Sequence, residues 1–195
     1  MALGVALALL LFIAVPSSAT ADGEATPRSA IILTARDALP DPNFENSIVL
    51  VTNNVASAPF GIILNRPTRV TLGQLFPDIA NMRLRDERVY FGGPVEIGVL
   101  SFLVRSPTPP EHAVNIIADV YLSRDRDLLR TLLAHGATRD TVRVFIGYAG
   151  WEPDQLENEV ARGDWKGTPA SADTIFAPGP EHPWPAPAAP EGQRI

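Results

Sequence analysis

Seven short apolar runs rich in valine and isoleucine occupy residues 30–33, 47–52, 60–64, 89–91, 99–104, 120–122 and 142–148. Runs this short and this β-branched predict strands, and several are separated only by turn-forming residues such as Asn53-Asn54, which would turn the second run towards the third. Helical periodicity is confined to a few places. The clearest helix is predicted to start with Ser123 as N-cap, place Asp125 and Asp127 in its first turn, bury Leu128, Leu129, Leu132 and Leu133, and stop at Gly136. His135 then sits at the negative end of that helix, where a cation is favoured. A second helix is predicted from Pro153 or Asp154 to Ala161, with Leu156 and Val160 inward and Gly163 ending it. A short one follows Thr71, with Leu72, Leu75 and Phe76 inward before Pro77. Strands outnumbering helices and joined by short turns predict an antiparallel-rich α+β domain rather than a doubly wound parallel sheet.

Both ends differ in character from this middle. Residues 2–15 are fourteen uncharged residues, broken by Pro16 and Ser17 and followed by the small-x-small sequence Ala19-Thr20-Ala21. As a helix they would rise only about 21 Å, short of a ~30 Å hydrocarbon core, which favours a signal peptide cleaved after Ala21 and a mature chain in the periplasm or outside the cell. No Lys or Arg precedes Arg28, so an uncleaved membrane anchor is the alternative. Residues 22–28 read as a linker. Residues 177–195 carry six prolines, at 178, 180, 183, 185, 187 and 190, and read as an extended, disordered tail in which Trp184 is a candidate docking tip. One domain over residues 29–176 is left. With 46% hydrophobic residues in a chain of 195, it can bury a core of its own.

Composition also removes chemistries. The absence of cysteine excludes disulfides, thiol nucleophiles and thiolate metal sites. A net charge of −6 disfavours a nucleic-acid partner, whose phosphates need Lys and Arg. The strand–turn–helix segment Gly147-Tyr148-Ala149-Gly150-Trp151 has alanine where a hydrolase elbow needs serine, and no phosphate-binding glycine loop accompanies Lys166, the only lysine. His112, His135 and His182 are not spaced to share a metal, so neither metal nor cofactor is expected.

Four clusters are more patterned than ordinary loops. They are the ten residues 41–50, which open Asp41-Pro42-Asn43-Phe44-Glu45-Asn46; then Gly61-Ile62-Ile63-Leu64-Asn65-Arg66-Pro67; then Gly92-Gly93-Pro94-Val95; and Gly147-Tyr148-Ala149-Gly150-Trp151 followed by Gln155-Leu156-Glu157. In this order and spacing the set resembles the AlgH/YqgE family of bacterial proteins over about residues 31–176. The resemblance implies a compact α+β fold whose sheet curls into a partial barrel with two or three flanking helices, and a family without an assigned biochemical activity. Some members carry a transcriptional-regulator label, and most are cytosolic. The family pattern has glycines where this chain has Glu152 and Asp154, so the turn into the second helix must adjust if either position needs positive φ.

Each cluster has a structural reading: Asp41-Pro42 as a turn, Gly92-Gly93-Pro94 as a close backbone approach, Tyr148 and Trp151 as core or rim aromatics. The functional reading has Asn65, Arg66, Tyr148, Trp151 and Gln155 gathering around a groove at one end of the sheet, with Arg66 clamping a ligand carboxylate. Asp41, Glu45 or Glu157 would serve Arg66 equally well as internal partners. A binding or interaction module of the cell envelope, taking a peptide or protein partner, is the expected function. An enzyme using Asp41 and Glu45 as acid and base on a small or cell-wall substrate is the alternative.

Overall fold

A computed structural model describes residues 30–177 and 181, apart from 37, 38, 40, 54 and 57. The predicted signal segment, the linker and all of the proline-rich tail except Ala177 and Glu181 lie outside the described residues, as does Asn54 of the predicted turn. In chain order the strands are β1 (Ala30–Ala35), β2 (Ile48–Thr52), β3 (Phe60–Ile63), β4 (Pro67–Thr71), β5 (Arg88–Phe91), β6 (Val95–Arg105), β7 (Ala113–Ile117), β8 (Val120–Ser123), β9 (Val142–Gly150) and β10 (Trp165–Pro169). The helices are α1 (Leu72–Leu75), α2 (Arg126–Ala134), α3 (Gln155–Arg162) and α4 (Ala172–Phe176).

The strands form one sheet in the order β10-β1-β2-β3-β9-β6-β8-β7, curled into a half-barrel, with β4 and β5 branching from it. Every pairing is antiparallel except β5 with β9. β9 is the hub. One edge of it pairs with β6; the other pairs first with β5, through Phe145 and Ile146, and then with β3, through Ala149 and Gly150. The Gly92-Gly93 step lies in the fork between β5 and β3, where the Gly92 amide donates to Ile146 O at 2.8 Å and its carbonyl accepts from the Ile63 amide at 2.9 Å.

Strand alternation sorts the core into two faces. Ile32, Leu50, Ile62, Leu103, Leu122 and Phe145 point inward and are closed over by Ala172, Ile175 and Phe176 of α4. The outer face is covered twice. At one end Leu72 and Phe76 of the α1 turn and Leu129 and Leu133 of α2 lie on Val89, Phe102 and Val144. At the other, Leu156 of α3 and Phe44 of the 41–47 loop lie on Val49, Ile63 and Trp151.

The predicted helix after β8 begins two residues later than expected. Asp125 is its N-cap, accepting from the Asp127 and Leu128 amides at 2.9 and 3.0 Å, whereas Ser123 ends β8 and its hydroxyl donates to His112 O at 2.7 Å. Val160 was expected inward and is 45% exposed, because α3 turns Leu156 to the core and uses Glu159, not Val160, to reach the aromatic residues below it. Strands β4, β7 and β10 and helix α4 add to the predicted elements. The two glycine replacements also separate: Asp154 has φ 62°, and Glu152 lies outside the left-handed region. Asp154 makes no side-chain cap hydrogen bond, so no such bond offsets the cost of its left-handed backbone. Asp154→Gly is therefore expected to raise stability by about 0.5–1 kcal/mol, read as a higher urea midpoint at unchanged slope.

Candidate functional site

The expected grouping of five residues divides into three. Asn65 and Arg66, 4% and 3% exposed, follow β3 and hold the 41–47 loop. Asn65 Oδ1 accepts from the Ile48 amide and its Nδ2 donates to Asn46 O, both at 2.9 Å, while the Arg66 guanidinium donates to Glu45 O. Burial lowers the Arg66 pKa, opposed by the charges of Glu45 and Asp41, so two of the three internal carboxylates named from the sequence act on it, and Glu157 is not among them. Asp41 closes the same loop, accepting from the Asn43 amide at 2.8 Å. Pro67 opens β4 and is backbone-paired opposite Tyr90.

Trp151 and Gln155 belong to a second group, centred on Glu159. Its Oε2 accepts both indole N–H groups, Trp151 at 3.0 Å and Trp165 at 2.8 Å, and its Oε1 accepts the Gln155 amide at 2.8 Å. Phe44 stacks on Trp151 with centroids 6.1 Å apart and meets Trp165 edge-on at 5.7 Å. Tyr148 is not part of this group. Gly147, at φ 68°, breaks the alternation of β9, and Tyr148 packs with the inner cluster, stacked on Phe60 at 5.0 Å with the Arg124 guanidinium 5.5 Å from its ring. Gly150, backbone-paired with Phe60, and Pro94, which leads from the fork into β6, complete the frame.

A different set of side chains forms a cleft, of about 140 Å³, where the inner face meets α4. Its polar lining is Tyr90 of β5, Arg143 of β9, Thr174 of α4, Glu87, Arg139, Asp140, Asn65, and Glu181 from beyond α4. Arg143 lies on the inward face of the hub strand. Its guanidinium donates to Leu64 O at 2.6 Å and Ile175 O at 2.8 Å and covers the Tyr90 ring at 4.6 Å, a cation–π contact. Among the described residues it makes no ion pair. Burial lowers its pKa, against the pull of Tyr90 and Glu87, yet a guanidinium so placed remains charged. Arg139 is instead paired with Glu87 at 3.0 Å. The Tyr90 hydroxyl donates to Glu181 Oε1 at 2.8 Å, and burial with this bond pushes the phenol pKa up, so Tyr90 stays a donor at neutral pH.

Of the residues singled out from the sequence, only Asn65 lines this cleft. Its other polar members escape motif reading because they come from β5, β9, α4 and the segments before β5, before β9 and after α4. The available signal was Arg143 itself, a lone charge inside the apolar run 142–148. A phenol donor and two guanidiniums, offset by Glu87 and Asp140, leave a small hollow that suits at most one carboxylate group. A nucleotide-sized ligand would want roughly 300–1,000 Å³. The lining includes no Ser or His, and among the described residues no three His, Asp or Glu side chains converge as metal ligands. A second hollow, of about 210 Å³, lies between Val70, Phe76, Val89 and Leu100, with Arg126 its one charged wall.

Comparison with known proteins accords with this architecture. A family profile described as AlgH-like (DUF179) matches residues 32–194, running through the proline-rich segment. A UPF0301 protein of Myxococcus xanthus is 36% identical over 157 residues, covering 78% of this chain and 84% of its own. One of Dechloromonas aromatica is 35% identical, covering 79% and 84%. The solution structure of the AlgH protein from Pseudomonas aeruginosa superposes with a TM-score of 0.62 at 26% identity, covering 82% of this chain and 86% of that one. The crystal structure of protein DIP2367 from Corynebacterium diphtheriae, at 22% identity and a TM-score of 0.61, covers 78% and 81% and shares the fold. With the hub strand, the glycine fork and the loop-holding Asn65-Arg66 pair all set in the stretch these proteins share, the chain belongs to the AlgH-like family.

Proposed function

We propose that this protein is a binding module whose site is the Tyr90–Arg139–Arg143 cleft, and that it takes a carboxylate-bearing segment of a partner protein. The observation that carries this reading is the carboxylate of Glu181 bonded to the Tyr90 hydroxyl beside the two arginines. Arg143 supports it, being a half-buried cation whose own contacts are carbonyls and ring faces rather than an acid. Desolvating a guanidinium is costly, and an incoming carboxylate recovers part of that cost. Asp41 and Glu45 serve their own loop and Arg66, so the acid–base enzyme reading has no geometry behind it. The export-type segment at residues 2–15 supports the cell envelope as the place of binding. Mass spectrometry of the mature chain tests that part: an intact Met1 would remove it.

Glutarate, which carries the carboxylate and methylene stem of a glutamate side chain with a second carboxylate at its far end, is a suitable probe of the site. Titrated into isotope-labelled protein, it is expected to shift the resonances of Tyr90 and Arg143 with a saturable dependence. Arg143→Gln is expected to weaken binding by about tenfold or more, in line with the loss of a charge-assisted hydrogen bond. Equal titration curves for the two folded chains would overturn the reading.

A further inference from the structure

Glu181 stands five residues beyond the end of α4, and it is a carboxylate of this same chain. Helix α4 fixes where that segment departs: Ile175 O accepts Arg143 Nη1 at 2.8 Å, and Phe176 and Ala177 wall the cleft. The helix that completes the cleft thus also brings Glu181 to it. Two features make occupation by Glu181 and by a foreign acid mutually exclusive. The Tyr90 phenol has a single proton to donate, and Glu181 Oε1 takes it at 2.8 Å. Charge gives the second. With Glu181 seated, the lining already sets Glu87, Asp140 and Glu181 against Arg139 and Arg143, so another carboxylate would enter a site with acids in excess. The interaction is shared beyond the phenol, because the Glu181 charge also acts on Arg139.

We propose that Glu181 is an intramolecular occupant of the cleft, and that a partner's carboxylate binds by exchange with it. This rests on the reading of the cleft as a carboxylate receptor. A tethered group acts at an effective concentration in the millimolar range, enough to hold a weak site for most of the time. Apparent affinity for an outside ligand is then the intrinsic affinity multiplied by the fraction of molecules in which the site is vacated. Glu181 therefore sets a threshold: a lone acid binds poorly, whereas a partner with further contacts displaces it.

The experiment compares the full-length chain with Glu181→Gln, Glu181→Asp and Arg143→Gln, each titrated with glutarate and followed by NMR. Glu181→Gln retains an oxygen for the Tyr90 hydroxyl and loses the charge, so its apparent Kd for glutarate is expected to fall about three- to tenfold. Glu181→Asp keeps the charge and is expected to stay within about twofold of the unaltered chain. If all the chains with Arg143 bind equally and Arg143→Gln does not, the receptor reading stands and the exchange is overturned. A lowered melting temperature in Glu181→Gln with unchanged affinity also overturns it, since Glu181 would then be a structural tie. Binding to none of the chains overturns both proposals together.

Discussion

Gly93→Ala is expected to prevent the sheet from forming at its fork. At Gly93, φ is 152°, and an added Cβ would stand 2.2 Å from the carbonyl carbon of Tyr148, 2.3 Å from its oxygen and 2.4 Å from the Ala149 amide nitrogen. All three atoms are backbone of the hub strand, so no side-chain rotation relieves the clash. Gly147 is locked reciprocally, since a Cβ there would lie 2.3 Å from the Gly93 carbonyl oxygen. Moving one segment away means breaking the bonds through which Gly92 joins β9 to β3. The loss should exceed about 4 kcal/mol, a large part of the roughly 5–15 kcal/mol that holds a domain together, so the variant is expected to be insoluble or unfolded by circular dichroism. Gly98→Ala is the control. Nothing lies within 4 Å of a Cβ at Gly98, and that variant should melt within a few degrees of the unaltered chain. A folded Gly93→Ala protein of near-normal stability would mean that the Gly92-Gly93 step does not lie against β9 as described.

The fork on β9 is a long-range feature, and the parts of the fold legible in sequence are the local ones. Local signals sufficed where one segment carries its own instructions. The α2 sequence holds a capping acid, two buried leucines one turn apart and a terminal glycine, and the α1 turn has Thr71 and Gln74 in a reciprocal capping box. The strands found from sequence are those whose run is apolar on both faces, such as β2 and β3, because the half-barrel covers both sides of them. β10 stayed hidden since only Trp165 in Trp165–Pro169 is buried, and β4 since only Pro67 is buried in Pro67–Thr71. Both are edge strands specified by their partners more than by their own residues. The patterned clusters were legible as patterns, but their purpose was tertiary. Asn65 and Arg66 bind backbone carbonyls of a loop some twenty residues earlier, and no spacing rule announces that. Arg143 and Tyr90 meet because β5 pairs with β9 with Tyr90 opposite Phe145, two residues from Arg143 on the same face, and no local pattern announces that pairing.

Trp151→Ala is expected to cost stability and leave glutarate binding alone, which separates structure from site at a residue the sequence made a candidate ligand contact. The indole is 5% exposed, stacks on Phe44, meets Trp165 edge-on at 6.4 Å and lies so close over Gly61 that a Cβ there would be 2.7 Å from its ring. Truncation to alanine removes that packing, opens a cavity and deprives Glu159 of one donor, a loss of about 3–5 kcal/mol in denaturant unfolding. Trp151→Phe keeps a ring on Phe44 and loses the N–H, so about 1 kcal/mol is expected. Glu159→Ala leaves two buried indole donors without their acceptor and should cost about 2–4 kcal/mol. Because Trp151→Ala removes one of those donors, the double variant should be less destabilised than the sum by about 0.5–2 kcal/mol. Trp151 belongs to the outer cluster and Tyr90 to the inner one, so the sheet itself stands between this group and the cleft. Should folded Trp151→Ala or Trp151→Phe lose glutarate binding while Arg143→Gln keeps it, the functional site would lie with Trp151, Gln155 and Glu159, and the cleft would be a structural feature of the inner core.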